Sequence, residues 1–269
     1  MLTSRIIAAV ILAGIIVPTL IWGGPTGIFL LVTGFILLGV WELVSHLPGL
    51  SNNVSKIVTM LLSILVPFLF LKCSPSGIPA IVVFLPLVII SIHLFIFTTI
   101  ENTLESTSQM ILTCVYVTVP LAHVISISCM GSGYLWIIFT LLVVCLGDAG
   151  AYFGGRSFGR HHFSSNVSPS KTVEGLVGGL IGNLLGMVIM KVVVSNFPPL
   201  WDLLQLTIIL AIVAPIGDLC ASALKRRLAI KDFGSVIPGH GGVLDRADSL
   251  IPSFPVVFYF LSLSGYGTF

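Results

Sequence analysis

The chain has 269 residues, of which 56% are hydrophobic and only 8% are charged, and its formal net charge is +2. Soluble domains carry about 25% charged residues. This composition, with a mean hydropathy of +1.13, therefore excludes an ordinary soluble protein and indicates an all-α, polytopic integral membrane protein. The small net charge gives no support for a nucleic-acid partner. The five cysteines are scattered without a CxxC pair, which argues against a zinc site or a disulfide framework.

A membrane-spanning helix needs about 20 apolar residues, and the sequence predicts nine such helices. They cover residues 4–22, 27–47, 54–72, 78–99, 108–130, 134–153, 173–195, 200–222 and 249–266. Turn-forming residues such as Gly23-Gly24-Pro25 and Pro48-Gly49 separate them. The first stretch lacks a convincing small-residue cleavage site, so we interpret it as a membrane helix and not as a removed signal peptide.

The lysines and arginines predict the orientation. With nine spans, ten of the twelve fall on one side of the membrane: Arg5, Lys56, Arg156, Arg160, Lys171, Lys225, Arg226, Arg227, Lys231 and Arg246. Only Lys72 and Lys191 fall on the other side. The positive-inside rule then puts the N-terminus and both long polar loops, about 154–172 and 223–248, in the cytoplasm and the C-terminus outside.

A stripe of small residues runs along the seventh predicted span. Gly178, Gly182 and Gly186 recur at four-residue spacing, with Gly175 and Gly179 beside them. Such a stripe lets another helix approach closely. We expect packing within the chain, with a dimer interface as the alternative.

The longest polar passage is KDFGSVIPGHGGVLDRADS, residues 231–249. Asp245 and Asp248 are three residues apart, so on a helix they point the same way. The neighbouring glycines, among them Gly241 and Gly242, allow close backbone approach to a ligand. Two aligned carboxylates beside glycines and cations suit a divalent metal held against phosphate. The alternative is an ordinary solvated membrane loop.

The eighth predicted span ends in PIGDLCASALKRR, where one helical stripe carries four polar residues: Asp218, Ser222, Lys225 and Arg226. A carboxylate within a span is costly and by default indicates function. The alternatives are an aspartate near a helix end that Lys225 neutralises, and a basic cluster that only sets the orientation.

The sixth predicted span places Asp148 at a depth similar to that of Asp218, five residues or about 7 Å from its cytoplasmic end. The loop that follows offers cations and hydroxyls suited to phosphate oxygens: Arg156, Arg160, Lys171, Ser168, Ser170 and Thr172. The GxxxxG spacing from Gly154 to Gly159 lacks the Lys-Ser/Thr that a P-loop requires, and it follows a membrane helix, so we reject a P-loop.

Several other polar residues have open roles. His161-His162 is a weak metal signal, and an ordinary loop pair is the favoured interpretation. Glu174 suits the first turn of a helix. Glu42, inside the second predicted span, either lines a cavity or pairs with a neighbour.

One long motif is similar to that of a known family. It reads Ser222-(x2)-Lys225-Arg226-(x4)-Lys231-Asp232-(x5)-Pro238-Gly239-His240-Gly241-Gly242-(x2)-Asp245-Arg246-(x)-Asp248. This pattern resembles the defining motif of the phosphatidate cytidylyltransferases, or CDP-diacylglycerol synthases. Two blocks, beginning at Asp148 and at Ser168, resemble further family blocks. One departure is Ala221, because the family usually has Glu before this Ser.

The resemblance implies the reaction CTP + phosphatidate → CDP-diacylglycerol + pyrophosphate in the cell (inner) membrane, with the lipid bilayer supplying one substrate. It also implies Mg²⁺, K⁺ as a candidate second cation, and a homodimer. We assign Asp218 and Asp245 as metal ligands, with Asp248 joining them and Asp148 in support. The predicted phosphate-binding or catalytic residues are Ser222, Lys225, Arg226, Arg156, Lys171, Lys231, His240, Gly241, Gly242 and Arg246.

These assignments divide the chain into three regions: N-terminal membrane helices (1–77), a middle hairpin that is a candidate dimer contact (78–131), and a catalytic membrane region with two cytoplasmic loops (132–269). An ion-coupled membrane transporter is the main alternative, since acids inside the membrane often mark ion pathways. A scaffolding membrane protein is the third, but it leaves the aligned acids and the glycine turn unexplained.

Overall fold

The computed structural model describes residues 13–72, 75–96, 103–162, 168, 170–236 and 241–267. Within these residues the protein is helical; it has no β-strand and one isolated bridge, between His162 and Thr172. The predicted all-α class is confirmed.

The helices follow one another with short connections. They are α1 (Ala13–Trp22), α2 (Gly24–Val44), α3 (Asn53–Lys72), α4 (Ile78–Ile96), α5 (Thr103–Thr113), α6 (Val119–Ser128), α7 (Gly133–Phe158), α8 (Val173–Val193), α9 (Leu200–Arg227), α10 (Leu244–Ala247) and α11 (Leu250–Leu263). A π-helical turn, Cys114–Thr118, joins α5 to α6. Pro120 lies just after this turn and lacks the N–H that a regular α-helix needs.

Seven helical segments in the described part of the chain are long and apolar enough to cross a membrane: α2, α3, α4, the continuous α5–α6, α7, α8 and α9. The other two predicted spans correspond to shorter apolar helices. Of the predicted span 4–22, residues 4–12 lie outside the described residues, and α11 has 14 residues, fewer than a straight crossing requires. The total of nine spanning helices therefore stays a prediction.

Two helices continue beyond their predicted spans. The sixth and eighth predicted spans end at residues 153 and 222, whereas α7 ends at Phe158 and α9 ends at Arg227. The hydropathy signal stops at the polar residues, but helical hydrogen bonding continues through them. Asp148 and Asp218 therefore lie ten and nine residues from their helix ends, about 15 and 14 Å at 1.5 Å per residue. The two distances to the helix ends match, and the predicted 7 Å to the end of the membrane span stays a prediction.

The chain forms two compact units. One consists of Met1–Gly131 with Asp232–Arg246, and the other of Ser132–Lys231 with Ala247–Thr268. The predicted division of the chain after residue 131 stays a prediction. The loop segment 232–246, predicted as part of the C-terminal region, groups with the N-terminal helices. The predicted division at residue 77 stays a prediction.

In the first unit, α2 packs against α3 and α6. The core between them contains side chains without solvent exposure, such as Val40, Leu43 and Ile125. The C-terminal end of α2 also reaches the segment 232–246, since a Cβ atom on Gly39 would lie 3.7 Å from the Leu244 side chain. This end of α2 and the polar segment therefore lie together.

In the second unit, α7 and α8 are in backbone contact through their glycines. A Cβ atom on Gly154 would lie 3.1 Å from Gly178 Cα, and one on Gly182 would overlap the carbonyl group of Leu146. The predicted glycine stripe therefore packs within the chain, as expected. Only glycine leaves room for this approach, because the opposing atoms are backbone and have no freedom to move aside.

The start of α8 is held against the same helix. The Thr172 hydroxyl accepts a hydrogen bond from Gly175 N at 3.1 Å, which is a regular N-cap. A Cβ atom on Gly155 of α7 would lie 3.1 Å from that hydroxyl. Glu174 lies in the first turn of α8, as predicted. The residue before the cap, Lys171, is thereby fixed near α7.

The close approach predicts the effect of a single methyl group. Gly182→Ala should lower the thermal unfolding midpoint of the detergent-solubilised protein, because overpacking costs about 1–3 kcal/mol and outweighs the ~1 kcal/mol helix preference of alanine. Gly34→Ala is the matched control, since nothing lies within 4 Å of a Cβ atom at Gly34. It should leave the midpoint unchanged or raise it. Equal midpoints for the two variants would contradict the packing described.

Candidate active site

Three helical elements of the second unit bring carboxylates together. Asp148 comes from α7, Asp218 from α9, and Asp248 from the connection between α10 and α11. Asp248 interacts electrostatically with both other carboxylates and with Lys225. We call Asp148, Asp218 and Asp248 the acid cluster. The predicted proximity of Asp148 and Asp218 is confirmed, although the predicted roles stay predictions.

A lysine already neutralises part of the acid cluster. Lys171 Nζ lies 2.7 Å from Asp218 Oδ2, and the lysine side chain is largely buried. The same ammonium group donates to the Pro215 carbonyl at 3.3 Å. Lys171 therefore contacts both the carboxylate of Asp218 and the turn of α9 that carries it. The predicted phosphate-binding Lys171 is therefore an ion-pair partner in this structure.

Serine residues connect the acids to their helices. Ser249 Oγ donates to Asp148 Oδ1 at 3.4 Å, and Ser249 N donates to Asp248 Oδ1 at 2.8 Å. Ser222 Oγ donates to Asp218 Oδ1 at 3.4 Å, one helical turn away, as the predicted stripe requires. Ser249 is only 3% exposed. Sequence reasoning missed it, although its place directly after Asp248 was an available signal.

A second missed residue is Gly217, beside Asp218 on α9. A Cβ atom at this position would lie 2.6 Å from the Pro252 ring, and it would also overlap the Asp248 carbonyl. The glycine therefore permits α9 to contact the chain that carries Asp248. Ala221, where the related motif usually has Glu, is completely buried on the same helix.

Crowding of like charges perturbs Asp248. The pKa of Asp248 is raised to about 7, first by burial and then by the nearby Asp218 carboxylate, while the Ser249 N–H and Lys225 act in the opposite direction. A carboxylate held this close to other carboxylates gains most from a cation, because a cation relieves both repulsion and desolvation. The acid cluster therefore favours binding of positive charge.

In the first unit, Asp245 closes the polar segment. Its Oδ2 atom accepts hydrogen bonds from Phe233 N at 2.9 Å and from Gly242 N at 3.0 Å. Gly241 has a φ of +85°, which favours glycine, so part of the predicted glycine turn is present. His240 lies outside the described residues. The predicted metal role of Asp245 stays a prediction, and the structure adds an architectural role.

Of the two roles considered for Glu42, pairing with a neighbour is the one the structure shows, and the neighbour is the backbone. Its carboxylate accepts hydrogen bonds from two backbone amides, Val243 N and Leu244 N, each at 2.9 Å. The side chain is 3% exposed. The only sequence signal was the presence of a carboxylate in an apolar helix, which is costly without a partner.

The remaining predicted cations have exposed side chains: Arg156, Arg226, Lys231 and Arg246. Arg156 donates to the Tyr152 hydroxyl at 2.7 Å and lies over its ring. His161 is paired with Glu174 at 2.6 Å, and Glu174 also accepts from the amides of Arg160 and His161. This agrees with interpreting His161 as a loop residue.

The donor set of the acid cluster fits Mg²⁺. Within the described residues, no three His, Cys, Asp or Glu side chains are close enough to form a complete metal cluster. Mg²⁺ usually takes one or two carboxylates and completes its shell with water and substrate phosphates. Asp218 and Asp248 supply such oxygens, and the Lys171 ammonium beside Asp218 marks a position where positive charge is favoured.

The fold and this site define a class: a polytopic α-helical membrane protein in which two long helices and the connection before α11 bring carboxylates and a lysine together. The model of the cytidylyltransferase family matches residues 3–264, so the chain belongs to this family.

Curated relatives agree with this assignment. The chain is 43% identical over 125 residues to the phosphatidate cytidylyltransferase of Staphylococcus saprophyticus, a match that covers 46% of this chain and 48% of the relative. It is 38% identical over 131 residues to the enzyme of that name from Bacillus subtilis, covering 49% of each chain. The chain thus matches about half the length of these curated relatives.

The raised pKa of Asp248 predicts how stability depends on pH. An acid whose pKa is higher in the folded state contributes stability below its ordinary pKa near 4 and loses it as pH rises through about 7. Without divalent cations, the thermal midpoint should therefore fall between pH 5 and about 8. Asp248→Asn, which is neutral throughout, should flatten this decline.

The matched control for this measurement is Asp232→Asn, because Asp232 is exposed and lies outside the acid cluster. Its midpoint should follow the wild-type pH dependence. A decline of unchanged size in Asp248→Asn would show that another group causes it.

Proposed function

We propose that the chain transfers the cytidylyl group of CTP to phosphatidate at the cytoplasmic face of the cell membrane, which yields CDP-diacylglycerol and pyrophosphate. The observation that carries this proposal is the acid cluster, in which Asp218 is paired with Lys171 and close to Asp248, within a chain of the cytidylyltransferase family. The names of the curated relatives support phosphatidate as the acceptor.

The chemistry asks for charge neutralisation more than for a strong base. A phosphate oxygen of phosphatidate forms a bond to the α-phosphorus of CTP, and the bond from that phosphorus to the bridging oxygen of the β-phosphate breaks. The attacking phosphate is already an anion, so positioning and electrostatic stabilisation supply most of the catalysis. Mg²⁺ bound at the site supplies Lewis-acid neutralisation of the phosphate oxygens.

The residues of the chain divide this work. Asp218 and Asp248 offer carboxylate oxygens to the cation, with Asp245 as the third proposed ligand and Asp148 in support. Lys171 is paired with Asp218 at 2.7 Å and would bind a substrate phosphate wherever Mg²⁺ neutralised that carboxylate. Lys225, Arg226, Lys231 and Arg246 are proposed to bind phosphates, as are Arg156 and His240. K⁺ as a second cation and a homodimer are parts of the same proposal.

The proposed orientation has one structural support. The C-terminal end of α2 contacts the segment 232–246 through Glu42. If the N-terminus is cytoplasmic, two crossings return this end of α2 to the cytoplasmic side, where the distribution of lysine and arginine also places the segment. The substrate nucleotide is available on that side.

The direct test is incorporation of label from CTP into a chloroform-soluble product by the purified protein with phosphatidate. We expect product that depends on Mg²⁺ and on phosphatidate, with ATP, GTP and UTP in parallel reactions to measure base selectivity. An ion-coupled transporter would give no labelled lipid. Absence of labelled lipid from a folded preparation would reject the proposal.

Substitutions test the metal ligands. Asp218→Asn and Asp245→Asn should each lower kcat roughly a thousandfold or more, because a metal bridging phosphates contributes several kcal/mol to the transition state and each ~1.4 kcal/mol is about tenfold in rate. An asparagine oxygen at position 245 retains an acceptor for Phe233 N and Gly242 N, so the segment should stay closed. Asp232→Asn should cost less than either.

If Asp218 only stabilises its helix end through Lys171, the result differs. Asp218→Asn would then lower the thermal midpoint, retain much of the activity and leave the Mg²⁺ dependence unchanged. That combination would overturn the assignment of Asp218 as a metal ligand. The measurement is kcat against Mg²⁺ concentration for the three variants.

A further inference from the structure

The carboxylate of Glu42 binds two successive amides of a distant part of the chain. Oε1 accepts from Val243 N and Oε2 from Leu244 N, both at 2.9 Å. These amides precede and begin the short helix α10, which carries Asp245 and Arg246. The partners are 201 and 202 residues from Glu42 in sequence. Both oxygens are thus used to hold one short stretch of backbone.

The polar segment is also shaped around this carboxylate. A Cβ atom on Gly234 would lie 2.6 Å from Glu42 Cδ, and one on Gly242 would lie 2.5 Å from Oε2. Glycine at both positions lets the two sides of the segment close over Glu42. The fit is specific, because the atoms that exclude a side chain are the charged end of Glu42 and not a flexible neighbour.

A second carboxylate completes the same arrangement. Asp245 Oδ2 binds the amides of Phe233 and Gly242, and the Phe233 side chain is fully buried. Glu42 therefore fixes the start of α10 from outside, while Asp245 ties the two ends of the segment to each other. Displacement of Val243 and Leu244 would move Asp245 directly, since the three residues are adjacent.

Energetics favour a role beyond helix packing. A buried carboxylate is expensive unless hydrogen bonds compensate it, and an apolar side chain would pack α2 at lower cost. Charge-assisted bonds to two amides offset the desolvation, but only while the segment stays in place. A glutamine at position 42 has one oxygen and one NH₂ group, so one backbone N–H would face another donor.

We propose that Glu42 is a positioning residue: its carboxylate sets the position of the segment 241–246, and thereby of Asp245 and Arg246, for the reaction. The catalytic part of this inference rests on the proposed function, whereas the structural part does not. Glu42 acts through the backbone amides and not through contact with the substrate.

Amide hydrogen exchange of the full-length protein in detergent–lipid micelles tests the structural part. Glu42→Gln should speed exchange in the segment 241–246 by about tenfold or more, the change expected for losing one hydrogen bond to a charged group. Exchange in α6 should not change. Thr33→Val is the matched control: it lies on α2, is buried, and its hydroxyl has no hydrogen-bond partner among the described residues. It should exchange like wild type.

Kinetics test the catalytic part. If Glu42 positions Asp245, Glu42→Gln should lower kcat by about tenfold or more and raise the Mg²⁺ concentration for half-maximal rate. Glu42→Asp, which keeps the charge on a shorter side chain, should restore part of the kcat and part of the Mg²⁺ dependence of the wild-type protein. A purely structural role would lower the amount of folded protein while leaving KM and the Mg²⁺ curve of the folded fraction unchanged.

The outcomes are separable. Unchanged exchange in Glu42→Gln overturns the proposal, and so does faster exchange with wild-type kcat and Mg²⁺ dependence. If the wild-type protein makes no lipid product from CTP and phosphatidate, the proposed function fails, while the exchange experiment still decides whether Glu42 holds the segment.

Discussion

A carboxylate removed from water must keep a hydrogen-bond donor or a cation beside it, and the polar architecture of this protein follows from that constraint. Glu42 and Asp245 are buried and accept hydrogen bonds from backbone amides. Asp218, which is partly exposed, pairs with Lys171, and the exposed Asp148 accepts a hydrogen bond from Ser249. Each of these interactions involves a different stretch of the chain. The two buried acids therefore fix the polar segment of the first unit, which hydrophobic burial alone leaves free to move.

The glycine contact between α7 and α8 supports the second unit in the same way. Backbone contact at Gly154 and Gly178 leaves the two helices little freedom to slide. Asp148 lies on α7, and Lys171 immediately precedes the N-cap of α8. The contact between the two helices therefore also fixes the backbone positions of Asp148 and Lys171. Close packing thus determines where the charges are, and the charges determine what the site attracts.

The two units treat their acids differently. In the first unit, amides consume the acceptor capacity of Glu42 and of one Asp245 oxygen, which gives a rigid segment. In the second unit, Asp148, Asp218 and Asp248 crowd together and leave Asp248 with a raised pKa. Crowded carboxylates of this kind favour a nearby cation, because a cation relieves their mutual repulsion.

The sequence by itself determined the all-α class, the positions of seven spanning helices, the glycine stripe and the candidate acids. These features depend on local composition and periodicity, which act over a few helical turns. Helix ends were less accurate: the hydropathy of α7 and α9 falls at polar residues, whereas their hydrogen bonding continues to Phe158 and Arg227.

Only the tertiary structure decided which partner each acid takes. Lys171 pairs with Asp218 from 47 residues away in sequence, and Glu42 binds amides more than 200 residues away. The roles of Ser249 and Gly217 likewise depend on the position of α9 against the chain around Asp248. Backbone amides look alike in every sequence, so no residue pattern marks the ones that a buried carboxylate will bind; the folded chain selects them by bringing them within 3 Å.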